Sequence, residues 1–207
     1  MLRRLLPLLL LCSLLPVGCV RSMHPIYTEQ TLTYDPAFLG TWRDDDGTTV
    51  EVAASDGNDE PDAVKSYRVA VTGRDNKTAR LVGHLAKVGD LLVADLTVGD
   101  EEGLPDSDVY RAHLFPLHTF WVVRRDGEKL AVRTIEHDWM KKFVEADPGA
   151  IAHYKSRDDV ILTAPPEALQ KFLLAHAKDP GMLSDEGTYR RVKPGATTAP
   201  ATSPRSE

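Results

Sequence analysis

The sequence predicts a mainly β, α+β domain: an antiparallel sheet that curls or closes into a lipocalin-like barrel, with two helices in the C-terminal half. Three observations carry this. Short runs of β-type residues follow one another from about residue 48 to residue 137 with turn chemistry between them, the pattern of consecutive antiparallel strands. Two of the connections, Gly89-Asp90 and Asp126-Gly127, fit two-residue hairpin loops. Amphipathic helical stripes with start signals of their own come only after them.

Taken in order, strands are expected over residues 48–54, 66–72, 78–88, 91–98, 110–115, 118–125 and 129–137. With Gly89 accepting the positive φ of a type II′ loop, Val88 falls opposite Leu91, Ala86 opposite Val93, His84 opposite Asp95 and Val82 opposite Thr97. The other face carries Leu81, Leu85, Leu92, Ala94, Leu96 and Val98. Both faces are largely apolar, so the hairpin is expected to be covered on both sides. Asp126-Gly127 read as a type I′ loop pairs Arg125 with Glu128, Val123 with Leu130 and Trp121 with Val132, and that face should meet the core.

Asp138 can cap a helix whose Trp139, Met140, Phe143 and Val144 share a stripe and which ends near Asp147-Pro148-Gly149. Thr163-Ala-Pro-Pro-Glu167 opens a second, with Leu169, Phe172, Leu173 and His176 on one side. A short strand over 160–162 separates them, and another over 188–192 follows.

At the ends, residues 1–18 have the order of a signal peptide: a basic start at Arg3-Arg4, an apolar run from Leu5 to Leu15, and a small-residue approach to Cys19. The run is short of the ~20 residues that span a bilayer, and Pro7 and Pro16 interrupt it. Residues 19–37, with Pro25 and Pro36 and no clear period, read as a tether. Residues 38–192 form the single expected domain, and the Pro-, Ala-, Thr- and Ser-rich stretch 193–207 reads as a disordered tail.

Leu15-Pro16-Val17-Gly18-Cys19 resembles the lipobox of bacterial lipoproteins, with Pro16 where the family usually has Leu and Leu15 one place earlier. The resemblance implies that Cys19 is acylated and becomes the new N-terminus, anchoring the protein to a membrane of the cell envelope. Val20 in place of Asp implies, for a Gram-negative cell, the periplasmic side of the outer membrane. Phe38-Leu-Gly-Thr-Trp42 resembles the G-x-W opening of lipocalin-like barrels. That family implies a Trp42 plugging one barrel end under a late arginine, Arg190 or Arg191, and an apolar ligand site inside the barrel. The mature chain is also similar to uncharacterised envelope lipoproteins that open with such a strand.

The 25 basic and 31 acidic residues give a net charge of −6, which the loss of Arg3 and Arg4 with the leader deepens to −8. No basic stripe could neutralise nucleic-acid phosphates, so no nucleic-acid partner is expected. Cys12 lies in the leader, so Cys19 has no disulfide partner in the mature chain.

Phosphate loops, nucleophile elbows, H-E-x-x-H and dinucleotide fingerprints are absent, and no cofactor is expected. Asp44-Asp45-Asp46-Gly47 lacks the alternating ligands of a calcium loop and reads as a polar turn, and the acidic tracts 56–62 and 100–108 read as solvated loops. His113, His118 and His137 lack a carboxylate at a telling spacing, so no metal is expected. The one constellation with possible chemistry is His84 and Asp95, a carboxylate opposite an imidazole, and the bland reading of a satisfied polar pair is favoured. The function expected is that of a non-enzymatic, membrane-anchored lipoprotein binding an envelope protein or a small apolar molecule. The alternatives are a structural or assembly role, or a hydrolase using His84 and Asp95.

Overall fold

The computed structural model describes residues 19–55, 65–99, 114–157 and 159–193. The leader, the acidic tracts, His113, most of the strand expected over 110–115 and nearly all of the tail lie outside these residues. Among the described residues there are twelve strands: β1 Arg21–Ser22, β2 Leu32–Thr33, β3 Gly40–Asp44, β4 Thr49–Ala54, β5 Ser66–Thr72, β6 Thr78–Val88, β7 Leu91–Val98, β8 His118–Asp126, β9 Lys129–Thr134, β10 His153–Ser156, β11 Asp159–Leu162 and β12 Gly187–Arg191. The helices are α1 His137–Ala146 and α2 Pro166–His176. Leu114 to Leu117, at the end of the expected 110–115 strand and beyond it, are in no regular structure.

Eight strands close a ring in the order β8-β7-β6-β5-β4-β3-β12-β9, with β9 returning to β8 and every pairing antiparallel. Closure leaves the ring no open edge. Alternation along the strands then sorts the side chains into two cores. Trp42, Val50, Val69, Leu85, Leu96, Val123, Leu130 and Val132 fill the barrel, while Ala86, Val88, Val93 and Phe120 face outward into a second cluster with Met140, Val144, Leu169, Phe172 and Leu173 of the helices. The β6–β7 hairpin is therefore covered on both faces, in the register expected from Gly89-Asp90.

Three expectations are corrected. In the β8–β9 hairpin Asp126 pairs with Lys129 and Val123 with Val132, so the loop is Gly127-Glu128. Gly127 takes the positive φ (56°) at the first loop position, where a type I′ turn would have demanded one of Asp126 as well. The pairing moves by two residues, so the same side chains still face inward. Asp138 does not cap α1: Glu136 stands at the cap without a side-chain bond, and Asp138 lies in the first turn, where its charge favours the helix dipole.

The third correction is larger. Residues 19–33 are no tether. β1 lies between β8 and β11, β2 pairs with β6, and Val20, Ser22, Ile26 and Leu32 are buried. Isolated apolar residues separated by polar ones show no period, yet Val20 and Ile26 join the helix-side core outside the barrel. Among the described residues no helix is long and apolar enough to cross a membrane.

Candidate functional site

The barrel end marked by the opening motif is built from residues 35–42. Asp35 caps a short 3₁₀ turn over Pro36–Phe38 through Ala37 N–H, and Trp42 Nε1 donates to Phe38 O at 2.8 Å. Arg191 pairs with Trp42 across β12 and β3, so both side chains point inward. Its guanidinium carbon lies 4.1 Å from the Trp42 ring centroid, and Nη1 and Nη2 donate to Leu39 O (2.5 Å) and Ala37 O (2.6 Å). Gly40, at φ 124°, passes so close that a Cβ there would sit 2.5 Å from Arg191 Nη1. Of Arg190 and Arg191, it is Arg191 that covers Trp42. Arg190, one residue out of phase, points outward with its side chain 61% exposed, near Asp45.

This end is closed, and the space behind it is small. Phe38, Val50, Tyr67, Val69, Leu85, Leu96, Trp121, Val123, Leu130 and Val132 surround an apolar cavity of about 50 Å³. Gly83 also lines it, and there a Cβ would already meet Val69 at 2.9 Å and Leu96 at 3.2 Å. Tyr67 closes the side, its hydroxyl accepting from Asp35 N–H at 2.7 Å and donating to Asp35 O. Burial pushes its pKa up to about 12, against the opposing pull of the Asp35 hydrogen bond.

His84 and Asp95 are register partners, as expected, but Asp95 engages a different histidine. Its Oδ1 lies 2.6 Å from His118 Nδ1, and its Oδ2 accepts Ile26 N–H at 2.7 Å. His118 sits two residues from Phe120, the β8 residue opposite Asp95, so it reaches the carboxylate diagonally. The His84 ring packs against Tyr27, centroids 4.6 Å apart. The carboxylate fixes the orientation of His118 and favours a proton on Nδ1.

Ser22 shares a rung with His118, so the residue types of a nucleophilic triad come together. Its hydroxyl, however, donates to His24 O at 2.8 Å and accepts His24 N–H, and it makes no bond to the imidazole. Asp95 is 1% exposed and the His118 side chain 14%. Three surface clefts, of about 740, 380 and 380 Å³, are lined by neither residue. The pair fastens the segment around Ile26.

His118 and His137 do not converge. β9 ends at Thr134, β1 takes its place beside the start of β8, and His137 opens α1 near Asp138 and Asp159. Among the described residues no three His, Cys, Asp or Glu side chains are grouped to hold a metal. The Asp44–Gly47 segment is the polar turn expected, with Thr48 N–H donating to Asp44 Oδ1 at 2.7 Å and Asp46 paired to Arg74.

Neither a protein-family model, nor a curated protein, nor a solved structure matches this chain.

Cys19, the first described residue, bridges to Glu136 beside α1. Burial, and then the Glu136 carboxylate, raise the pKa of its thiol.

Proposed function

We propose that the protein is a lipoprotein of the bacterial cell envelope, anchored through Cys19, whose barrel is a filled scaffold that binds a protein partner on its outside. The observation that carries this reading is the 50 Å³ cavity, set against the ~300–1,000 Å³ of sites that hold small molecules. A barrel with so little space inside cannot enclose an acyl chain or a ring system without repacking.

The outside offers contact surface at the other end of the strands. Met23, Val98, Leu114 and Phe115 are exposed, and they lie just beyond the rung shared by Ser22, His118 and Thr97. Apolar side chains collected at one rim are suited to burial by a partner. The anchor rests on the lipobox-like sequence before Cys19, since more than one acyl chain gives stable attachment where one does not.

Two measurements test the reading. Titration with a fluorescent fatty acid should give no saturable binding, and stoichiometric binding would overturn the filled-scaffold reading. A photo-crosslinking residue placed at Phe115 in living cells should give a discrete protein adduct that is missing when it is placed at exposed Glu51. The same pattern from both positions would remove the case for a partner at this rim.

A further inference from the structure

We infer that the anchor has no slack: the face of the domain around Cys19 is held flush against the lipid bilayer, and residues 20–33 are a clamped strap. This rests on the reading of Cys19 as the acylated residue and adds an orientation to it. Val20, the next residue, is 2% exposed and packs in the helix-side core with Ile135 and Met140, so the chain is fixed as soon as it leaves the cysteine. Cys19 itself is bridged to Glu136, and Arg21 pairs with Thr119 on one side and Ile161 on the other.

Further along, Ile26 is gripped at both backbone groups. Its N–H goes to the buried Asp95 carboxylate, and its C=O accepts from Gln170 Nε2 at 2.7 Å. The same Gln170 amide reaches Thr31 Oγ1, and Thr31 O accepts Lys87 N–H. Peeling the strap away would expose Val20, Ile26 and Leu32 and leave a buried carboxylate short of a donor. A free chain of this length would let the domain wander roughly 20 Å from its anchor. Clamped, the strap brings the headgroups to within a residue of the fold.

The surface that meets them carries Glu136, Asp138 and the ion pair of Arg21 with Asp159. Three of these four groups are acidic, so the covalent acyl chains hold the surface to the bilayer, and zwitterionic headgroups suit these groups better than anionic ones. β4 stands four places from β8 around the eight-membered ring, so Glu51, exposed on its outer side, is on the far side of the barrel.

The test uses the mature acylated protein in phosphatidylethanolamine vesicles carrying a headgroup quencher. Acylation blocks the Cys19 thiol, so Asp138→Cys or Glu51→Cys supplies a single site for a fluorophore. Emission should be lost at 138 and kept at 51, and ten Gly/Ser residues inserted between Cys19 and Val20 should restore emission at 138. Equal quenching at the two positions before insertion would overturn the flush orientation while leaving the anchor intact. A chain that fails to float with vesicles, as Cys19→Ser should, would overturn the lipoprotein reading and the orientation with it.

Discussion

Arg191 shows how one side chain can close a barrel. It stacks on Trp42 and caps two carbonyls of the turn beneath it, geometry that a planar guanidinium supplies and an ammonium does not. Arg191→Lys should therefore cost about 2 kcal/mol in denaturant unfolding, and Arg190→Lys no more than about 0.5. A comparable loss from both would show that the stacking is incidental. Tyr67 gives a pH test. Its folded pKa, about 12, lies above the usual 10, so its contribution is complete below pH 10 and is lost as pH rises towards 12. The stability difference between the parent and Tyr67→Phe should shrink over that window, and a constant difference would contradict the burial argument. Trp42 and a late arginine are legible in the sequence only through the resemblance of Phe38-Leu-Gly-Thr-Trp42 to the opening of lipocalin-like barrels. The choice between Arg190 and Arg191 needed the β3–β12 register. Asp95 is legible as a chemical centre and His118 as a candidate ligand, but their pairing is not, because residues 99–117 separate β7 from β8 and no short turn fixes the register.

The elements most faithful to the sequence are those with a local signal: the Gly89 hairpin, the two amphipathic helices, and the strands between turns. The β8–β9 loop lies one residue later than the Asp126-Gly127 pair predicts, because the turn asks a positive φ only of its glycine. β1, β2 and β10 were invisible, being two to four residues long and held by distant partners. The strap is the main case, since its register comes from Asp95 and Gln170, 69 and 144 residues from Ile26. Gln170→Ala should raise amide hydrogen exchange across residues 26–33 and leave the barrel strands protected. Faster exchange throughout the barrel would mean that the strap is an integral part of the barrel core rather than a separable layer. Unchanged exchange everywhere would remove Gln170 from the clamp.

At the scale of the whole molecule, closure and filling decide what the barrel can do. Eight strands enclose an interior that side chains are able to fill, and here Trp42, Trp121, Leu85, Leu96 and Val123 nearly fill it. The mainly β class and the two helices followed from periodicity, but the size of the cavity depends on how inward side chains from eight strands interlock, which pattern alone does not report. The central claim joins an anchored N-terminus to an empty-handed barrel. Its most direct test is mass spectrometry of the protein from its native membrane, first under native and then under denaturing conditions. The mass predicted is that of the chain from Cys19 onward plus covalent acyl groups, unchanged between the two conditions. A full-length unmodified chain, or a lipid that departs on denaturation, would contradict it.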